Sequence, residues 1–264
     1  ILDDTRAIAE WNNATNPVTV FSIPNGTIKL WKKDTSYRGQ DKYAGANPVD
    51  GVEVTYRLID ASSEATMRVH AADGTLVREL TVPGSAGTHR VHWDLRHDGP
   101  GVQGKWSRHN SPVLARSIEA WGPWVSPGTF TVSIQAGDQS AQNVVEVRGD
   151  PEMPMLTQQM YEDRERFMLD AIALTTRISR TMRDFDMNTT GGDSGFRNPT
   201  GSPRTPSEML RTARRLAQQV YGSLNGGGVR PGSLYPPTQT QREQLLDAQE
   251  LLNQAIGELR EDLR

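Results

Sequence analysis

The chain of 264 residues contains no cysteine, few aromatic residues and no marked excess of charge. Without cysteine it forms no disulfide and no thiolate metal site, a composition that suits either the cytosol or a bacterial periplasm. A net charge of -3 gives no electrostatic basis for nucleic-acid binding, so we expect no nucleic-acid partner. No apolar run approaches the ~20 residues that a transmembrane helix requires, so we expect no membrane span in this chain.

Common catalytic motifs are absent or stand in the wrong context. Gly99 to Lys105 match Gly-x-x-x-x-Gly-Lys, but Trp106 stands where a phosphate loop has Ser or Thr, so no complete phosphate-loop motif occurs. The sequence GDSG at residues 192–195 copies a protease nucleophile motif, but it lies in a Gly-rich segment between helical patterns rather than in a double β-barrel. Two close carboxylate pairs, Asp3 with Asp4 and Asp94 with Asp98, have no neighbouring motif that supports catalysis. We therefore expect no catalytic residue and no cofactor.

A cluster of histidines and aspartates in the middle of the chain raises the possibility of a metal site. Its members are His89, His92, His97, His109, Asp94 and Asp98. Because neighbouring strand residues alternate between faces, only His92 and Asp94 would align. We expect solvated or hydrogen-bonded side chains here, and no metal.

Residues 51–149 carry a β pattern. Alternating apolar residues, the turn at Asp73-Gly74 and a returning apolar run predict a hairpin. Six or seven such runs at regular spacing predict an immunoglobulin-like β-sandwich. Its inward side chains are expected to be Val52, Val54, Tyr56, Leu58, Met67, Val69, Ala71, Phe130, Val132, Ile134, Val145 and Val147.

Residues 1–50 are predicted to form a lead-in hairpin followed by an ordered loop. Two short apolar runs, residues 18–23 and 27–31, flank Pro24-Asn25-Gly26, a sequence typical of turns. Residues 34–50 are polar, rich in turn formers and interspersed with aromatics, which predicts the loop.

Residues 150–264 are predicted to form a three-helix tail, a small antiparallel α-helical bundle, which makes the chain a multidomain α+β protein. Two helix starts are marked by capping residues, Thr205 with Glu208 and Thr238 with Gln241. Charged runs such as residues 162–166 are expected to be solvated surface. The apolar stripes are Phe167, Ala171, Leu174, Ile178, Met182 and Phe185; Leu210, Ala213, Ala217, Val220 and Leu224; and Leu245, Ala248, Leu252, Ala255 and Leu259.

Residues 96–123 form a long insertion without a strand pattern. Trp106 and Trp121 lie in it, and Trp124 follows it directly. Long loops in compact domains are often functional, and their aromatic rings can stack on a sugar or be buried in a protein interface. The other interpretation is that these tryptophans only cover the edge of the sandwich.

Three further segments supply candidate interaction residues. The polar and aromatic loop before the sandwich contributes Tyr37, Arg38 and Tyr43, unless this loop packs on itself through weak surface ion pairs. The segments 188–204 and 225–237 are rich in Gly, Pro and Ser and would be mobile alone, so we expect a partner surface to hold them. Their candidate contact residues are Phe196, Arg197 and Tyr235.

Several segments together resemble the C-terminal region of bacterial secreted proteins of the sortilin-like BNR-repeat propeller class. They are SYRGQDKYAGANPVDGVEVTYRL, MRVHAADGTLVREL, HRVHWDLR and VSPGTFTVSI. The middle of this pattern is similar to the immunoglobulin-like domain of the flagellar hook-capping protein. The tail SLYPPTQTQREQLLDAQELLNQAI resembles the closing helices of the same propeller proteins.

The resemblance implies a fold and a location more than an activity. The catalytic residues of that class belong to a propeller with repeated Ser-x-Asp-x-Gly-x-Thr-Trp boxes, which this sequence lacks. The resemblance thus implies an accessory region of an exported bacterial protein, either periplasmic or secreted. We predict a non-enzymatic protein-interaction or scaffolding module, a structural subunit of a larger extracytoplasmic assembly such as a membrane complex. The alternative is a carbohydrate-binding accessory region that takes polysaccharide through the insertion tryptophans.

Overall fold

The computed structural model describes residues 5–30, 51–99, 122–185, 205–226 and 232–261. In these ranges the chain is a mixed α+β protein with two sheets and four helices. None of these helices is both long and apolar enough to cross a membrane. The elements are α1 (Arg6–Glu10) with a short 3-10 turn (Trp11–Asn13), β1 (Val18–Val20), β2 (Gly26–Thr27), β3 (Val52–Leu58), β4 (Ala65–Ala71), β5 (Leu76–Val82), β6 (Gly87–Trp93), β7 (Gly128–Ala136), β8 (Gln139–Arg148), α2 (Gln158–Asp184), α3 (Pro206–Asn225) and α4 (Gln239–Glu261).

The two sheets share one apolar core. The first sheet has the antiparallel order β1-β3-β6, and the second has the order β2-β8-β7-β4-β5. The side chains predicted to point inward are buried in this common cluster, except Ala71, which is partly buried against it. The strict alternation of apolar and polar residues therefore correctly identified the inner faces.

The hairpin predicted around Asp73-Gly74 is confirmed. Strands β4 and β5 pair in antiparallel fashion, and the Asp73 carboxylate accepts a hydrogen bond from the Thr75 N–H at 2.9 Å. Gly74 has a φ of 84°, a conformation that glycine adopts without strain. The turn is thus fixed by its own local chemistry.

The prediction that residues 18–23 and 27–31 form a hairpin, by contrast, is wrong. Strand β1 pairs with β3 in one sheet, whereas β2 pairs in parallel with β8 in the other. The N–H of Phe21 donates to the Thr55 carbonyl, and the N–H of Ile28 donates to the Arg148 carbonyl. Both short segments gain more from the long strands on either side of the core than from each other, so Pro24-Asn25-Gly26 carries the chain from one sheet to the other.

Two of the three long helices, α3 and α4, begin where their capping residues predict. Thr205 accepts the Glu208 N–H at 3.3 Å, with Pro206 as the first helical residue. Thr238 and Gln241 form a reciprocal capping box, with bonds of 2.8 and 3.3 Å. The predicted stripes of α2, α3 and α4 meet in shared apolar clusters.

Candidate functional site

The segment that follows β6 is held in a single conformation by its own side chains. The Trp93 indole is fully buried, packs edge-on against Phe130 at 5.2 Å and donates to the Arg96 carbonyl at 3.1 Å. Leu95 is buried with a φ of 58°, which is strained for a residue with a side chain. Its carbonyl accepts the Val125 N–H at 3.0 Å, which joins this segment to the chain that returns from the insertion.

Arg96 links the end of the insertion to the end of α3. Its Nη1 donates to the Gly122 carbonyl at 2.9 Å and to Asn225 Oδ1 at 2.8 Å, and its guanidinium lies 4.4 Å above the Trp124 ring. Asn225, the last residue of α3, donates through Nδ2 to the Tyr221 hydroxyl at 3.1 Å and to the Gly122 carbonyl at 3.4 Å. Arg96 and Asn225 are both buried, so this network lies inside the protein.

Arg164 of α2 binds the same end of α3 from a second side. Its Nε donates to the Ser233 carbonyl at 2.7 Å and its Nη2 to the Leu224 carbonyl at 3.2 Å. Carbonyls at a helix C-terminus carry partial negative charge, which favours a cation there. Burial, together with the positive charge of Arg96, lowers the pKa of Arg164 to about 10, so the guanidinium stays protonated at neutral pH.

Glu165, the next residue of α2, binds the sheets. Its carboxylate pairs with His97 Nε2 at 2.5 Å and accepts the Ser126 N–H at 2.9 Å. Burial alone would raise the pKa of Glu165, but the hydrogen bonds from His97 and Ser126 outweigh it and lower the pKa. The ionised carboxylate is therefore the form that joins α2 to His97, at the start of the insertion, and to Ser126, just after its end.

The bonds from His97 and Ser126 to the Glu165 carboxylate predict that the stability of the folded protein depends on pH. Glu165→Gln should remove this dependence. Because the folded-state pKa of Glu165 is lowered, its contribution is complete above the unfolded pKa of about 4.3 and is lost as the pH falls through the folded value. We expect Glu165→Gln to destabilise the protein most above about pH 5. The difference from the parent should shrink towards lower pH in urea unfolding at a series of pH values.

The control for this prediction is Glu258→Gln, which removes an exposed carboxyl from α4. It should leave the free energy of unfolding near neutral pH almost unchanged. A Glu165→Gln deficit that stays constant from neutral to acidic pH would contradict the assigned role of the carboxylate.

Asp98 closes the outer edge of β5. Its N–H donates to the Val77 carbonyl at 3.2 Å, and its carboxylate accepts the Glu79 N–H. The Arg78 guanidinium lies 3.3 Å from the same carboxylate. Burial raises the pKa of Asp98 despite this positive charge. One residue thus replaces a neighbouring strand along this part of β5.

We name the network of Arg96, His97, Asp98, Gly122, Glu165, Arg164, Tyr221, Asn225 and Ser233 the junction. It binds both ends of the stretch 99–122 and both ends of the stretch 226–232. Two arginines and two carboxylates of the junction hold the ends of these segments in position through their hydrogen bonds.

Of the predicted interaction residues, the structure describes two. Trp124 is only 5% exposed, and its ring packs beneath Arg96, so it is a packing element here and not an exposed ring. Tyr235 is 45% exposed, and its N–H donates to the Ser233 hydroxyl at 3.1 Å, close to the junction. The others lie outside the described residues: Tyr37, Arg38, Tyr43, Trp106, Trp121, Phe196 and Arg197.

Of the residues considered for a metal site or for catalysis, some lie in the described ranges and others do not. His92 lies 3.9 Å from Glu53, and His97 is bound to Glu165. Across the described ranges, no group of three potential ligands is arranged to hold a metal ion. His109, the pair Asp3 and Asp4, and the GDSG motif lie outside those ranges.

The expectation that residues 162–166 are solvated surface is wrong for Arg164 and Glu165. Arg164 and Glu165 belong to the junction, and Asp163 binds Arg242 at 2.5 Å, whereas Arg166 is exposed. The signal that could have identified Arg164 is its position three residues after Tyr161 and three before Phe167, on the buried stripe of α2. A charge on an apolar stripe indicates a partner inside the protein.

The junction also brings the ends of two segments of the chain into contact. Arg96 and Asn225 both donate to the Gly122 carbonyl, so the return of the insertion and the exit from α3 are in contact. Ser233 comes back to the same helix end, because its N–H donates to the Leu224 carbonyl at 2.8 Å. No protein-family model matches the chain, and no curated protein is significantly similar to it in sequence.

Proposed function

We propose that this chain is a non-enzymatic protein-interaction or scaffolding module, a structural subunit of a larger extracytoplasmic assembly. The observation that carries the proposal is that the stretches 99–122 and 226–232 begin and end on one buried network. Binding segments work best when a rigid framework holds their ends, because less ordering is then needed on binding. The partners would be other protein subunits, including those of a membrane complex.

The fold that accompanies this proposal is an immunoglobulin-like β-sandwich followed by a small antiparallel helical bundle. Two sheets around one core and three helices around another support it. In sandwiches of this kind the loops at one end of the sheets commonly bind partners. The periplasmic or secreted location is proposed from the resemblance to the exported propeller proteins.

Tyr235 is the described residue best placed to contact a partner. Its exposed ring follows Ser233, which Arg164 holds through the main-chain carbonyl. An amphipathic ring on a fixed backbone is a common anchor in protein interfaces. Trp106, Trp121 and the other residues outside the described ranges are proposed as contacts on their sequence context alone.

The test replaces residues 100–121 with a short Gly-Ser linker. The residues on the two sides of the deleted stretch are already close together, because the His97 N–H donates to the Pro123 carbonyl at 2.9 Å. A short linker can therefore join them. We expect the tagged variant, expressed in its native source, to lose the partner that the parent chain retains at moderate salt, while its thermal unfolding is little changed.

The control inserts the same linker after Gly137, in the turn between β7 and β8. This variant should keep the partner. Migration of the parent chain alone from its native source, or retention of the partner by the variant that lacks residues 100–121, would refute the proposal. Polysaccharide retention that disappears in Trp106→Ala and Trp121→Ala would favour the carbohydrate-binding alternative instead.

A further inference from the structure

The edge strands of the two sheets differ in whether other parts of the protein cover their backbone groups. An open edge exposes unpaired backbone N–H and C=O groups, and proteins usually cover or blunt it. Asp98 covers part of β5, as described above. Asn143 covers the gap between β8 and β1, because its Nδ2 donates to the Val20 carbonyl at 3.3 Å and its Oδ1 accepts the Val144 N–H at 2.8 Å. Within the part of the chain that the structure describes, neither a strand nor a side chain covers the outer edge of β6.

The hydrogen bonds of β3 show which of its backbone groups face β6. Thr55 faces β1, since its carbonyl accepts the Phe21 N–H, and Ile59 faces the same side, since its N–H donates to the Pro17 carbonyl. Alternate residues of an antiparallel strand bond to opposite neighbours. The residues of β3 that bond to β6 therefore include Val54, Tyr56 and Leu58.

The register of β6 then fixes which of its residues face outward. Val91, His89 and Gly87 lie opposite those three residues of β3 and bond to them. Thr88, Arg90 and His92 consequently direct their N–H and C=O groups away from the sheet. Seven residues of strand make an edge of roughly 20 Å with about six backbone bonds to offer.

The side chains along this edge are suited to an acidic strand. Val91 and Trp93 point into the core, whereas Thr88, Arg90 and His92 lie on the outer face of the sheet. Arg90 is 58% exposed and lies 3.4 Å from Glu53 across the strand pair. A strand added to β6 would place one of its own side chains on the other side of Arg90, where a carboxylate is favoured.

We propose that β6 binds an extended segment of a partner protein as an added antiparallel strand, with acidic residues on its outer face beside Arg90. Strand addition to an open edge is an established mode of peptide recognition, in which backbone bonds give affinity and alternate side chains give specificity. This inference rests on the proposed interaction function and deepens it, because it names the partner's chemistry at a surface away from the junction.

A second copy of this chain is disfavoured at the same edge in the register that is centred on Arg90. Antiparallel pairing of β6 with its own copy about a two-fold axis through Arg90 would set the two Arg90 side chains directly opposite each other. Like charges in that position destabilise a strand pair. Arg90 therefore disfavours this register of self-pairing and favours an acidic strand.

The test uses two synthetic eight-residue peptides, one with glutamate alternating with valine and one with lysine in place of glutamate. Peptide binding is measured by fluorescence anisotropy, and amide exchange of the protein by NMR. We expect the glutamate peptide to bind and to slow the exchange of the Thr88, Arg90 and His92 amides. Arg90→Glu should weaken its binding about tenfold and strengthen that of the lysine peptide, since an attractive cross-strand pair becomes a repulsive one.

The matched control is Arg148→Glu. Arg148 lies in the other sheet, is 60% exposed, as Arg90 is 58% exposed, and also pairs with a glutamate, Glu146 of its own strand. Its substitution should not change peptide binding. Equal effects of the two variants, unchanged exchange of the three amides, or amides already as protected in the free protein as those inside the sheet would overturn the proposal. The variant that lacks residues 100–121 should still bind the glutamate peptide, so failure of this inference can be separated from failure of the proposed function.

Discussion

Gly122→Ala is expected to destabilise the protein by about 3–5 kcal/mol, although it adds a single methyl group. A Cβ at Gly122 would lie 1.8 Å from the His97 carbonyl oxygen and 2.4 Å from its carbon. The obstacle is main chain, which cannot rotate away as a side chain would. To relieve the clash, the segments on the two sides of the insertion must separate, and the bonds from Arg96 and Asn225 to the Gly122 carbonyl must lengthen.

Urea unfolding measures the loss of stability, and amide exchange locates it. The N–H groups of His97 and Val125, which bond to Pro123 and Leu95 across the insertion, should exchange faster in Gly122→Ala. Gly257→Ala is the matched control, because a Cβ there meets nothing within 4 Å in helix α4, and it should stabilise the protein by about 0.5–1 kcal/mol. A Gly122→Ala protein as stable as its parent would mean that the two segments do not approach each other in this way.

Arg164→Ala should cost a similar amount, about 3–5 kcal/mol. The side chain is 4% exposed, and its removal leaves the Ser233 carbonyl without its donor and a cavity beside the end of α3. The Leu224 carbonyl keeps the Ser233 N–H but loses the positive charge that stabilises a helix C-terminus. The loss should appear in urea unfolding, together with faster exchange of the Ser233 N–H.

Two further variants separate the contributions of Arg164. Arg166→Ala removes an exposed arginine two residues away and should change stability by no more than about 0.5 kcal/mol. Arg164→Met keeps much of the packing but not the hydrogen bonds, so it should lie between the parent and Arg164→Ala. If Arg164→Ala behaved like Arg166→Ala, the guanidinium would not be holding the end of α3.

The features that the sequence predicted are those whose cause lies within a few residues. The capping pair Thr238 and Gln241 and the turn at Asp73-Gly74 satisfy their own backbone groups locally. The stripes of α2, α3 and α4 follow from helical periodicity, and the inner faces of the strands follow from alternation. In each case the pattern and the structure express the same local geometry.

The junction could not be predicted in this way, because its partners are far apart along the chain. Arg96 and Asn225 are 129 residues apart, and neither periodicity nor composition connects them. The requirement for glycine at position 122 arises from the carbonyl of His97, which only the folded chain brings close. The prediction of a lead-in hairpin was wrong for the same reason. The strand partners of β1 and β2 depend on the core and not on the turn between these two strands.

Arg164 and Glu165 have one more consequence. Consecutive helix residues point about 100° apart around the axis, so these two side chains tether a single turn of α2 in two directions. One tether runs to the end of α3 and the other to the sheets. Turning α2 about its own axis would strain both tethers, so a displacement of the end of α3 is coupled through α2 to the sheets.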